Sequence, residues 1–202
     1  MPRYKFPLFT PFINNKEKKL VSECLTSNWI SSKGKYIDKF ENKFSKFIKS
    51  NYCITVNNGT AALHLALLSL GIKKGDEVLV PSFTYIAPVN AIKYVGATVK
   101  FLDSKVETGQ IDEDSIKKNI TKNTKAIILV HLYGYMCDIS KVKKICDKYK
   151  IYLIENCAES FGSYFNKKHT GTFGDVGTFS FFGSKTITTG EGGMVVTNQK
   201  NL

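Results

Sequence analysis

No CxxC pair occurs among the 5 cysteines of this chain, Cys24, Cys53, Cys137, Cys146 and Cys157. Structural zinc sites rest on such clustered pairs, so no metal site is indicated. An odd number of cysteines scattered over helix-like and strand-like segments argues equally against a disulfide framework, and is read as buried thiols in a reducing compartment. Long uncharged apolar runs are missing too. None is long enough to span a bilayer, and the opening Met1-Pro2-Arg3-Tyr4-Lys5-Phe6-Pro7 holds two prolines and no continuous apolar stretch. The expectation is a cytoplasmic protein with no membrane partner. Internal repeats and low-complexity linkers are also lacking, which argues against a solenoid.

Acidic residues are in deficit, 17 against 29 lysines and arginines, for a net charge of +12. A nucleic-acid-binding surface would concentrate that excess. Here Lys16, Lys18, Lys19, Lys39, Lys43, Lys46, Lys49, Lys117, Lys118, Lys141, Lys143, Lys144 and Lys148 fall mainly on polar faces of helical patterns, where they are solvated surface charges. No nucleic-acid partner is expected, although a modest steering of an anionic small molecule is compatible with the excess.

What is present is an ordinary globular composition, 43% hydrophobic and 23% charged over 202 residues, enough for one sizeable core. Apolar runs alternate with helical spacings. Cys53–Val56, Val78–Val80, Thr98–Phe101, Ala126–Val130, Tyr152–Glu155 and Met194–Val196 read as strands, and Thr60–Leu70, Ile86–Tyr94, Asp112–Asn119 and Ile139–Tyr149 as helices. Alternation of this kind predicts an α/β fold, a mainly parallel sheet between helices. Ligands in such sheets lie beyond the carboxyl ends of the strands, and Gly59, Tyr85, Asn156, Glu159 and Lys185 all follow predicted strands or lie in the irregular segments after them.

Two stretches carry chemistry. Ser180-Phe181-Phe182-Gly183-Ser184-Lys185 leads into the glycine-rich Gly190-Glu191-Gly192-Gly193. An amine that forms a Schiff base must be uncharged part of the time, which a partly desolvated pocket crowded by aromatic rings favours. Upstream, Asn58-Gly59-Thr60-Ala61-Ala62-Leu63 opens an apolar helix whose free N–H groups and hydroxyl suit a phosphate. A phosphorylated aldehyde would satisfy both. The plainer alternatives are a solvated Lys185, Thr60 as an N-cap, Tyr85 as a core aromatic and His131 as a hydrogen-bonded core histidine. Asp138 and Asp175 read as cap and turn residues.

Taken in order, Ser27-Asn28-Trp29-Ile30-Ser31-Ser32-Lys33-Gly34, Asn58 to Leu63, Gly75-Asp76-Glu77-Val78, Pro81-Ser82-Phe83-Thr84-Tyr85, His131-Leu132-Tyr133-Gly134 and Thr188-Thr189-Gly190-Glu191-Gly192-Gly193 resemble the DegT/DnrJ/EryC1/StrS family of pyridoxal-phosphate-dependent sugar aminotransferases. Cys157-Ala158-Glu159-Ser160 and Phe181 to Gly193 are most similar to its GDP-perosamine synthase branch. The resemblance implies the type I fold of pyridoxal-phosphate enzymes, with a seven-stranded large domain. It also implies transfer of an amino group from glutamate to a nucleotide-linked 4-keto-6-deoxy sugar, GDP-4-keto-6-deoxymannose being preferred, in a homodimer serving polysaccharide biosynthesis.

By the same resemblance, Lys185 is the catalytic lysine that links covalently to pyridoxal 5'-phosphate. Ser180, Gly59 and Thr60 would bind its phosphate, Tyr85 would stack on its ring, and Glu159 would lie near cofactor or sugar. Asn156 departs from the family, which places an aspartate there to keep the pyridine nitrogen protonated. The implied layout is an N-terminal arm and first helix over residues 1–35 and the large cofactor-binding domain over 36–202, with a small C-terminal domain expected to be missing. A sugar dehydratase of the family would carry histidine in place of Lys185, and a truncated, non-catalytic remnant is the other alternative.

Overall fold

The computed structural model describes residues 9–202; the opening segment Met1 to Pro7, read above for targeting signals, lies outside the described residues. Two helices come first, α1 (Asn15–Thr26) and α2 (Lys35–Ile48). There follow β1 (Tyr52–Val56), α3 (Gly59–Ser69), β2 (Glu77–Pro81), α4 (Ala87–Tyr94), β3 (Thr98–Leu102), α5 (Glu113–Asn119), β4 (Thr124–Val130), α6 (Ile139–Tyr149) and β5 (Tyr152–Asn156). A short hairpin, β6 (Tyr164–Phe165) and β7 (Lys168–His169), precedes β8 (Val176–Ser180) and β9 (Gly193–Thr197).

Seven strands form one sheet in the order β1-β9-β8-β5-β4-β2-β3. Six run the same way. β9 alone is antiparallel to both its neighbours, β1 and β8, so its amino end and the carboxyl ends of the other strands share one edge. The predicted mainly parallel α/β sheet is therefore the observed one.

Side chains alternate across the sheet and sort the core into two layers. Val78, Val80, Ala126, Ile128, Ile154, Val176 and Val195 pack beneath α3 and α4. Leu79, Ile127, Leu129 and Leu153 turn to the other face and pack with Ile139, Val142 and Ile145 of α6. On that face, the ring cluster of Phe40, Phe44, Phe179 and Phe181 seats α2 against β8 and β9. Asn156 shares the parity of Ile154, and Ser180 that of Val176. Both therefore lie on the α3 side, where the cleft opens.

Several local expectations need correction. Val176–Ser180 is absent from the predicted strands yet lies inside the sheet. Its Gly177 weakened the strand signal, but is needed because a Cβ there would collide with the Gly171 carbonyl oxygen. Asn58, rather than Thr60, caps α3, its Oδ1 accepting from the Ala61 N–H at 2.8 Å. Asp138 does cap α6, and Asp175 accepts from the Leu153 N–H at 2.8 Å in the turn before β8.

Of the cysteines, Cys53, Cys137, Cys146 and Cys157 are buried, whereas Cys24 is half-buried. Burial pushes the thiols of Cys53, Cys137 and Cys146 up to about 12. Among the described residues no helix is long and apolar enough to cross a membrane.

Candidate active site

Five chain segments leave the shared sheet edge and enclose one cavity of about 400 Å³. Gly59 and Thr60 follow β1, Tyr85 follows β2, and Leu132 follows β4. Asn156 ends β5 and is followed by Glu159, while Ser180 ends β8 and is followed by Phe182 and Lys185. Every residue singled out for the site from sequence lines this cavity: Gly59, Thr60, Tyr85, Asn156, Glu159, Ser180 and Lys185. The sheet brings them together because the strands are parallel and their exits fall on one side of it.

At one end, the first turn of α3 meets the end of β8. A Cβ on Gly59 would stand 2.8 Å from Ser180 Cβ and 3.2 Å from its Oγ, so only glycine permits this approach. The N–H groups of Gly59 and Thr60 have no acceptor among the described residues, the next one at Ala61 being taken by Asn58. Unpaired donors, the positive helix end and the Ser180 and Thr60 hydroxyls together make a turn whose chemistry suits an anion.

Lys185 lies elsewhere on the wall. Its segment is a run of turns, with the Lys185 N–H donating to the Phe182 carbonyl at 2.9 Å. Aromatic crowding was expected around the amine. Instead Phe181 turns away into the core and Phe182 is about half exposed, while the lysine Nζ stands 3.4 Å from Glu159 Oε1 with 22% of its side chain exposed. Glu159 Oε2 also accepts from the Tyr133 N–H at 3.1 Å. Tyr133 has φ of 53°, a left-handed conformation uncommon for a residue with a side chain, so Glu159 ties the amine to a strained turn after β4. Sequence reasoning placed Glu159 in the site but gave no sign of this double engagement.

Tyr85 is 78% exposed, which discards the core-aromatic alternative and leaves its ring available over the cavity. His131 is the reverse. It is fully buried, with Nε2 3.0 Å from Glu155 Oε2, and does not line the cavity; the core alternative is the observed one. Glu155 also accepts from the N–H groups of Gly171 (2.8 Å), Phe173 (2.6 Å) and Gly174 (2.7 Å). Burial pushes this carboxyl up, but the His131 ring and the backbone donors outweigh it and hold the group below the usual carboxylate range. Glu155 faces away from the cavity while Asn156 faces it, as strand parity requires.

Comparison with known proteins agrees with this architecture. A profile of the DegT/DnrJ/EryC1/StrS aminotransferase family matches residues 11–202. The chain is 59% identical over 196 residues to GDP-perosamine synthase of Escherichia coli O157:H7, covering 97% of this chain and 54% of that protein. Among solved structures, an aminotransferase from Psychrobacter cryohalolentis superposes with a TM-score of 0.92 at 39% identity, over 95% of this chain and 49% of that one. An E. coli GDP-4-keto-6-deoxy-D-mannose-3-dehydratase with bound hydrated PLP gives 0.91 at 35% identity, over 97% and 52%. The chain thus spans about half the length of the curated relatives it matches. With residues 11–202 matched by the family profile and a relative 59% identical over 97% of this chain, the chain belongs to the DegT/DnrJ/EryC1/StrS aminotransferase family.

Proposed function

We propose that this chain carries the cofactor-binding domain of a pyridoxal-phosphate-dependent sugar-nucleotide aminotransferase, over residues 36–202, preceded by an arm and first helix over 1–35. The amino group of glutamate is exchanged for the keto oxygen of GDP-4-keto-6-deoxymannose, giving 2-oxoglutarate and GDP-perosamine. The observation that carries this reading is the joint opening of the Lys185 amine and the anion-binding turn at Gly59 into one cavity. The identity to GDP-perosamine synthase supports the sugar, and a lysine at position 185 favours amino transfer over the dehydratase alternative.

The residues present fit the cofactor. Gly59 leaves room for the turn to close on Ser180, and the unpaired N–H groups of Gly59 and Thr60 suit a dianionic phosphate. When bound, pyridoxal phosphate supplies an aldehyde for covalent linkage to an amine and a ring that delocalises charge from the reacting carbon. Lys185 Nζ is the amine that would hold the cofactor, and it would serve as the group that moves a proton at the reacting carbon. Glu159 orients the amine from 3.4 Å. Tyr85 would cover the ring and limit water, and Asn156 would meet it from the buried side of the cavity. A cytoplasmic homodimer completes the proposal; the dimer is supported by exposed Leu20 and Val21, which line a groove with Tyr36, Phe40 and Phe181, and by exposed Leu25, Trp29 and Ile30.

Mixing the chain with pyridoxal phosphate is expected to produce a visible absorbance band. Glutamate should then bleach it, with release of 2-oxoglutarate approaching one equivalent, and Lys185→Ala should do neither. A band that forms but survives glutamate without release of the keto acid would reject amino transfer.

A further inference from the structure

Among the polar side chains lining the cavity, Asn156 is the buried one, with 6% of its surface exposed. Its Oδ1 accepts a hydrogen bond from the Ala158 N–H at 3.1 Å. A backbone N–H can only donate, so this contact fixes which end of the amide faces which way. The oxygen is held by the protein's own backbone, and the Nδ2 group, which donates to no described residue, is the end left to a ligand. The cavity floor therefore offers a neutral donor.

Nothing nearby replaces that donor with negative charge. Glu155 points to the opposite face, where four donors consume its carboxylate. Glu159 is engaged by Lys185 and the Tyr133 N–H, and Glu191 is exposed at the rim. In pyridoxal phosphate the ring nitrogen lies across the ring from the carbon bearing the aldehyde, so an amine holding that carbon would direct the nitrogen away from itself, and Asn156 is the buried polar lining residue available to meet it. A protonated nitrogen would set one N–H against another; an unprotonated one would accept from Asn156.

Resting on the cofactor reading above, we infer that Asn156 makes this a site that holds the pyridine nitrogen unprotonated, with its amide as the hydrogen-bond donor. Asn156 is then a specificity-determining residue for the electronic state of the ring. Substitution by aspartate keeps an acceptor for the Ala158 N–H and replaces the donor with a carboxylate oxygen, which stabilises a ring N–H⁺.

The test is the nitrogen NMR spectrum of the chain reconstituted with pyridoxal phosphate labelled with ¹⁵N in its ring, after reduction and peptide mapping of a parallel sample have shown covalent linkage at Lys185. The native chain is expected to give the resonance of an unprotonated pyridine, and Asn156→Asp that of a pyridinium. A pyridinium resonance in the native chain, or the same unprotonated resonance in both proteins, overturns the inference while leaving the cofactor site intact; absence of linkage at Lys185 overturns both. A second measurement needs no variant. A cofactor analogue with CH in place of the ring nitrogen should bind the native chain roughly five-fold more weakly than pyridoxal phosphate, and equal binding would overturn the proposed hydrogen bond.

Discussion

Glu155 and Asn156 are consecutive residues at the end of one strand, and they illustrate opposite uses of a buried polar group. On the α6 side, Glu155 is fully enclosed and its two oxygens receive four hydrogen bonds, one from the His131 ring and three that pin the 171–174 turn to the sheet. On the α3 side, Asn156 receives one bond from its own chain and leaves its amide nitrogen facing the cavity. A carboxylate with all its partners built in is part of the scaffold. An amide with half its capacity unspent is part of a site.

The comparison breaks most readily at Glu155. Glu155→Ala strips the partner from three backbone N–H groups and a buried histidine, and should destabilise the chain by about 3–5 kcal/mol in urea unfolding. Asn156→Ala should cost about 1 kcal/mol. Equal losses at the two positions would erase the distinction. Acid should expose the same scaffold. The Glu155 carboxyl is held below its ordinary 4.5, so its contribution is complete above that pH and is lost as pH falls through the lowered folded value. His169, lowered from 6.5 by burial, opposes folding as pH falls below 6.5, because the unfolded chain takes up its proton first. Stability should therefore decline from about pH 6.5 downward, and Glu155→Gln should flatten the lower part of that decline.

On the cavity side, Gly59→Ala forces a Cβ to within 2.8 Å of Ser180 Cβ. The turn must open, at about 1–3 kcal/mol of stability. The greater consequence is expected in ligand binding, with affinity for pyridoxal phosphate falling at least about ten-fold as the donors of α3 move away from the Ser180 hydroxyl. Unchanged affinity, measured by fluorescence titration, would remove this turn from the site. The smallest effect concerns the thiols. Cys53, Cys137 and Cys146, pushed up to about 12 by burial, should resist alkylation in the native chain, while half-buried Cys24 reacts first, with no measurable change in stability. Rapid loss of the buried thiols would indicate a much looser core.

How much of this was legible from sequence follows the same division. Strand ends announce themselves, because apolar runs such as Ala126–Val130 stop where polar residues begin, and in a parallel sheet those stops share an edge. Gly59, Thr60, Tyr85, Asn156 and Glu159 sit at such exits, whereas Ser180 and Lys185 rest on the motif around the lysine and on the family resemblance. Strand parity also assigned Glu155 and Asn156 to opposite faces. What stayed hidden depended on long-range contacts. β8 was overlooked because Gly177 reads as a breaker, and only the crossing of the 171 turn explains it. The Glu159 carboxylate shared by Lys185 and the Tyr133 N–H links segments 26 residues apart, and no local pattern reports it. Asn58 is legible as a cap, since an asparagine directly before Gly-Thr-Ala-Ala-Leu is a ready N-cap, but the Thr60 hydroxyl two residues on competes for the same assignment.

The most direct test of a cofactor cleft built around Lys185 is to incubate the chain with pyridoxal phosphate, reduce with borohydride, digest, and map the added mass. The label is expected on the peptide containing Lys185 alone and should be lost in Lys185→Ala. Label distributed over surface lysines, with Lys185 unmodified, would contradict the assignment.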